Sequence, residues 1–312
     1  MSLIIVGTVA FDSIETPYGK ADKVVGGAAL YGSIAASHFT DGVELVSIIG
    51  GDFPQEELAY MNSRGIDLAG LDIQKEKKSF YWSGRYHDNM NARDTLVTEL
   101  NVLAEFNPVL PSHYKDADYV MLGNLQPEVQ MQVIDQMEKR PKLIILDTMN
   151  FWMDIAMDSL KKVIAKIDVL TINDEEARQL SGEYSLVKAA KKILAMGPTY
   201  LIVKKGEHGA LLFHEDKIFS APALPLAEVF DPTGAGDTFA GGFAGYLAMT
   251  DDTSFENLKR AIIYGSAMAS FCVEEFSIGK LRTLNEEMIN ERLQQFIELA
   301  SFDLKMADSL VS

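Results

Sequence analysis

The residues best placed for chemistry lie in one run, Asp231-Pro232-Thr233-Gly234-Ala235-Gly236-Asp237-Thr238-Phe239-Ala240-Gly241-Gly242-Phe243. Pro232 ends any regular structure before it. Gly234, Ala235 and Gly236 have almost no side-chain bulk, so their N–H groups can close on a ligand. Phe239, Phe243, Tyr246 and Leu247 recur at helical spacing, which predicts a helix that begins near Gly234 and buries that face. The unpaired N–H groups and positive dipole end of such a helix make an anion site, suited to a phosphoryl group. Asp237 falls in the first turn, where a carboxylate is favoured. It is expected to be ionised at neutral pH, with its basicity lowered by the same field. It would then take a hydroxyl proton only as the phosphoryl group moves. The structural alternative is a tight turn followed by a helix-start aspartate. The whole run is a far stronger signal than either part.

Other chemistries lack their residues. No Gly-x4-Gly-Lys-[Ser/Thr] loop occurs, and Phe239 stands where a dinucleotide fingerprint needs glycine. His38, His87, His113, His208 and His214 have no metal-ligand spacing. No Gly-x-Ser-x-Gly elbow is present for acyl transfer.

The elements that must position this run follow a regular rhythm. Leu3–Val6, Leu45–Ile49, Tyr119–Leu122, Leu143–Leu146, Val169–Ile172 and Tyr200–Val203 read as buried strands. Residues 29–39, 55–64, 128–139, 155–166 and 186–196 read as helices between them. Such alternation predicts an α/β fold: a mostly parallel central sheet between helical layers, with right-handed crossovers. Two segments break the rhythm, about 14–24 and 71–100. The second is rich in aromatic residues over Ser79–Tyr86 and turns at His87–Asn91, which predicts an extended hairpin. These segments are expected to form a small β-sheet lid on a single domain spanning 1–312, although a plain surface hairpin would look the same.

Composition narrows the partners. With 28 Lys+Arg against 45 Asp+Glu, the net charge is −17. That field disfavours nucleic acid and anionic membrane surfaces. No apolar stretch reaches transmembrane length, and the first residues do not form a signal segment. The single cysteine, Cys272, lies in an apolar helical run and reads as an inert core thiol. A cytoplasmic location is expected.

With these motifs in hand, the chain resembles the ribokinase-like (PfkB-type) carbohydrate kinases over nearly its whole length. The run 231–243 is similar to the family's C-terminal signature, and Gly26-Gly27 to its N-terminal double glycine. Asn173-Asp174-Glu175-Glu176 resembles the Asn-x-x-Glu motif, and Gly206-Glu207-His208-Gly209 the Gly-x-x-Gly turn. Gly7 and Asp12 occupy the usual place of a substrate-binding aspartate. The resemblance implies a ribokinase-like three-layer α/β/α fold and ATP-dependent phosphorylation of a small sugar-like alcohol. It implies Asp237 as catalytic base, with Gly234, Ala235 and Gly236 as the anion hole. Asp12, Gly26 and Gly27 would hold substrate hydroxyls. Asn173 and Glu176 would organise Mg²⁺ through water, and Gly206 and Gly209 would line the nucleotide site. Asp231 and Thr233 would lie near a monovalent cation such as K⁺.

The residues themselves agree and leave alternatives. Carboxylates bind sugar hydroxyls well, and an Asn–Glu pair three apart reaches one hydrated ion or closes a capping box. Lys204 could attract nucleotide phosphates or merely be solvated. Arg93, and Arg85 beside it in the lid, would fit an acidic sugar if they faced the pocket. Asn91 and Asn124, the latter at a strand end, are weaker candidates for substrate hydroxyl contacts. Tyr31 replaces an asparagine usual four residues after the double glycine, which predicts a stacked or partly apolar substrate. Residues 270–279 match the family's final loop only loosely. A nucleoside or vitamin kinase and a non-catalytic nucleotide or sugar sensor are the competing functions. An exposed lid edge would allow a homodimer.

Overall fold

A computed structural model describes residues 1–301; the end of the expected 1–312 domain, residues 302–312, lies outside the described residues. The strands are β1 (Leu3–Val6), β2 (Ala10–Thr16), β3 (Gly19–Gly26), β4 (Val43–Gly50), β5 (Asp67–Gln74), β6 (Phe80–Tyr86), β7 (Arg93–Glu99), β8 (Tyr119–Leu122), β9 (Leu143–Asp147), β10 (Val169–Asn173), β11 (Tyr200–Lys204), β12 (Ala210–His214) and β13 (Lys217–Ala221). The helices are α1 (Ala28–Ala36), α2 (Gln55–Ser63), α3 (Pro127–Gln136), α4 (Asn150–Ile155), α5 (Met157–Ile164), α6 (Asp174–Ser181), α7 (Leu186–Leu194), α8 (Ala235–Thr250), α9 (Phe255–Cys272), α10 (Gly279–Thr283) and α11 (Glu286–Ala300).

Nine strands form one sheet in the order β13-β12-β11-β10-β9-β8-β1-β4-β5, parallel from β11 to β5 and antiparallel at β12 and β13. The apolar runs are buried on both faces because side chains alternate between two cores. Leu3, Ile5, Leu45, Met121 and Ile145 pack with α1, α8 and α9. Ile4, Val6, Val120, Leu122 and Ile144 pack with α3, α5 and α7. The result is the expected three-layer α/β/α fold. Helices α1 and α8 approach closely, since a Cβ on Gly241 would overlap the backbone of Gly32.

A second sheet of four strands, β3-β2-β6-β7, stands apart. Strands β2 and β6 pair in parallel, and the other two pairs are antiparallel. Ala10, Asp12, Ile14 and Thr16 turn to one face and are buried. The expected turn-rich segment 14–24 is therefore mostly strand, with only Pro17 and Tyr18 in the turn. Segment 71–100 also divides. Leu71–Gln74 belongs to β5 of the large sheet, so the lid begins at Phe80. Side-chain hydrogen bonds and the Lys23–Asp52 ion pair at 3.8 Å hold this sheet against the body. Thr16 Oγ1 donates to Phe230 O at 2.9 Å, Thr233 Oγ1 to Tyr86 Oη at 3.1 Å, and Ser277 Oγ to Val25 O.

The helix expected over 155–166 is broken at Ala156, whose φ of −141° leaves helical space, giving α4 and α5. No helix among the described residues is long and apolar enough to cross a membrane.

Candidate active site

Parallel strands end together, so polar residues closing them gather along one edge of the sheet. Asn173 and Lys204 are register partners at the ends of β10 and β11. Asp147 closes β9 opposite Thr171. Lys204 Nζ donates to Asp147 Oδ1 and Oδ2 at 3.1 and 3.0 Å, with both side chains largely buried.

Helix α8 starts against this pair. Gly234 is its N-cap with φ 76°, a left-handed conformation that glycine adopts without strain. A Cβ there would also overlap the ring of Tyr31. The Ala235 N–H turns back to Pro232 O at 3.2 Å, whereas those of Gly234 and Gly236 have no backbone acceptor among the described residues. A Cβ on Gly236 would lie 3.2 Å from Lys204 Nζ, so the ammonium abuts the bare turn. The cradle thus combines free donors, the positive end of a 16-residue helix and a buried cation.

Asp237 sits in the first turn of α8. It keeps partial solvent access, yet the surrounding protein is dense enough for desolvation to dominate its titration. Burial, then the charge of Asp147, push its pKa up to about 7, against the pull of Lys204 and Arg93. This corrects the expectation of lowered basicity: loss of water outweighs the helix dipole. Asp12 is 5% exposed and is likewise pushed up to about 7 by burial, with Asp231 and Asp237 adding and Arg93 opposing. Asp12, Asp231 and Asp237 therefore share one electrostatic environment, although β2, the 230–233 turn and α8 contribute one each. Arg93, on β7, offsets charge at Asp12, Asp237 and Glu176 and faces the site from the lid. Arg85 instead pairs with Glu15 at 3.2 Å among exposed side chains.

Asn173 and Glu176 close a capping box: Glu176 N–H donates to Asn173 Oδ1, and Asn173 N–H to Glu176 Oε2, both at 2.8 Å. Burial raises the Glu176 pKa to about 7, despite Lys204 and the Asn173 N–H. Burial also works against the Lys204 charge, but Asp147 and Glu176 hold that ammonium above its ordinary pKa. Gly206 and Gly209, both with positive φ, bracket the turn after β11. The lid turn reaches this loop, since a Cβ on Gly206 would lie 3.0 Å from Asn91 Oδ1.

Several expected residues are placed differently. Tyr31 is only 1% exposed and lies beneath Gly234, so it supports the cradle and offers no stacking face. Asn124 Oδ1 accepts from Trp152 Nε1 at 2.7 Å, which ties that amide into the wall. Gly26 and Gly27 give main-chain room: the Asp12 carboxylate lies where a Gly26 Cβ would be, and Gly27 is the N-cap of α1. Both Asp231 oxygens accept from this chain, from Thr233 N–H at 2.8 Å and Ser277 N–H at 3.3 Å. Cys272 Sγ points at Thr233 O, 3.6 Å away, and is buried with its thiol pKa raised to about 12. These contacts tie the cradle turn to residues 272–277.

The sequence reading missed Asp147, Tyr86 and Ser277. Asp147 carried a visible signal, a lone acid directly after the apolar run Leu143–Leu146. The others depend on contacts far apart in sequence.

The sequence profile of the pfkB family carbohydrate kinases matches residues 2–282. The chain belongs to this family. The kinase is 30% identical over 251 residues to the cytidine kinase of Thermococcus kodakarensis, covering 79% of this chain and 88% of that protein. Its fold matches the crystal structure of Methanocaldococcus jannaschii nucleoside kinase with a TM-score of 0.74 at 22% identity, covering 95% and 99% of the two chains. A putative ribokinase II from E. coli, in complex with ATP and Mg²⁺, matches with a TM-score of 0.77 at 18% identity over 94% and 99%. The kinase is an ATP-dependent phosphotransferase that acts on a hydroxyl group of a sugar or nucleoside.

Proposed function

We propose that the kinase moves the γ-phosphoryl group of ATP onto a hydroxyl of a small sugar or sugar derivative, with Asp237 as the base. The observation that carries this is the convergence of Asp237, the bare start of α8 and Lys204 at one edge of the sheet. Asp12 accepts hydrogen bonds from acceptor hydroxyls and so orients the alcohol. Asp237 takes the hydroxyl proton as the oxygen bonds to phosphorus and the bond to ADP breaks. The Gly234 and Gly236 N–H groups, with Lys204 and Arg93, hold the oxyanions. The Gly206–Gly209 turn and Thr233 lie beside the nucleotide, and the lid excludes water.

Mg²⁺ fits the donor set, because Asp147 and Glu176 offer hard carboxylate oxygens beside the cradle. No group of three His, Cys, Asp or Glu side chains among the described residues forms a direct cage. Asn173 and Glu176 would therefore meet the ion through water, and the ion would neutralise phosphate charge. Asp231 Oδ1 and Oδ2 each accept one backbone donor and keep a further lone pair, so Asp231 with Thr233 could also meet a monovalent cation, and no step is routed there.

Asp237→Asn is expected to lower kcat by about 10²- to 10⁴-fold while the Kd for an ATP analogue stays nearly unchanged. Retention of most turnover would refute the assignment of the base. A second reading, a nucleoside acceptor, is supported by the cytidine kinase and nucleoside kinase relatives. A sensor is disfavoured, because it needs no base beside the anion cradle.

A further inference from the structure

One aromatic residue on the lid remains without a role. On β6, Trp82 is the register partner of Asp12 on β2, so the two residues share one face of the small sheet. Its indole packs against Gly84, where any Cβ would overlap the ring. Gly84 is buried and Trp82 is not. Trp82 Nε1 donates to Thr95 Oγ1 at 3.3 Å, and the Arg93 guanidinium stands 5.5 Å from the ring centroid. The ring is therefore tethered towards β7 and keeps solvent access, one strand over from Asp12, whose carboxylate leans towards Gly26 on β3.

We infer that Trp82 is a stacking platform for a planar ring on the acceptor, so that the alcohol phosphorylated is a nucleoside and not a free sugar. This rests on the phosphotransfer reading above. A free pentose would be satisfied by Asp12 and Asp237 and would leave the indole unused. A pentose bearing a flat heterocycle carries its base past Asp12 towards Trp82. Stacking tolerates any base, because every base has a π-face. The competing account is mechanical: an aromatic ring over a strand glycine strengthens a sheet.

The two accounts separate in a kinetic and spectroscopic test on the full chain. Wild type, Trp82→Phe and Trp82→Leu are assayed with MgATP against cytidine, adenosine and D-ribose. Thermal melting checks folding. Leucine covers Gly84 but has no π-face, and phenylalanine keeps one. The wild type is expected to prefer a nucleoside to D-ribose. In Trp82→Leu the KM for that nucleoside should rise roughly 5- to 100-fold, with little change in kcat and none in the rate with D-ribose. Trp82→Phe should recover most of the loss. The nucleoside should quench tryptophan fluorescence in the wild type, and this quench should vanish in Trp82→Phe, where Trp152 remains. An unchanged nucleoside KM in folded Trp82→Leu overturns the inference, as does preference for D-ribose. If Trp82→Leu fails to fold, the quench comparison decides alone. Nucleoside quenching without ADP release from any acceptor would instead sink the phosphotransfer reading and leave the platform standing.

Discussion

Asp12 shows how burial converts an ordinary carboxylate into a pH-sensitive one. Its pKa is about 7 in the folded chain against 3.8 for the free side chain. A raised pKa means that the folded state holds the proton more tightly than the unfolded state. The associated stability is therefore fully present below 3.8 and is lost as pH rises towards 7. Asp12→Asn cannot ionise, so its gain in stability over the ligand-free wild type should grow by about 2 kcal/mol from pH 5.5 to 7. Chemical denaturation at the two pH values checks this. A gain that stayed flat would mean that Asp12 is already charged in the fold. Activity runs the other way. The base must be ionised, so kcat/KM should fall as pH drops below about 7, the value for Asp237. The position of Asp237 in a helix start was legible, because glycines and carboxylate share one short run. Its basicity was not legible. Asp147 and the desolvating surroundings come from strands distant in sequence, and the local rule considered only the dipole.

At the scale of elements, the cradle depends on a stack of α1 beneath α8. Gly234 needs both its left-handed φ and the space over Tyr31. Gly234→Ala should cost about 1 to 2 kcal/mol for the backbone and roughly 1 to 3 more for overpacking, with activity lost ahead of the fold. Tyr31→Phe should not rescue it, because the ring and not the hydroxyl meets the new methyl group. Melting curves and ADP release on the single and double variants measure both effects. Substantial rescue by Tyr31→Phe would contradict this geometry. The role of Tyr31 was misread in the sequence for the same reason: a residue four past a double glycine carries no sign of which helix will cover it. Strands fared better. Short apolar runs such as Leu143–Leu146, too brief for a helix, fit a sheet covered on both faces. Strand β5 escaped because it lies at the sheet edge, where exposure removes the apolar pattern.

At the scale of the molecule, two hydrogen-bond ladders meet without merging. The lid can therefore shift without breaking a strand pair of the large sheet. Amide exchange in β6 and β7 should slow when an acceptor and a non-hydrolysable ATP analogue bind together, while β1, β8 and β9 stay unchanged. Exchange mass spectrometry reads this directly, and equal protection of both sheets would argue for one rigid body. Alternating patterns imply the three layers, but strand order is set by long-range packing of the crossovers, which no local residue encodes.

The meeting of Asn91 with Gly206 has a consequence for timing. The turn of the small sheet touches the Gly206–Gly209 loop, so on the reading proposed above one closure would cover both compounds. On the phosphotransfer reading, ADP would leave through the same opening that admits the next acceptor; a turnover limited by that opening should slow as solvent viscosity rises, and a viscosity-independent kcat would point to the chemical step.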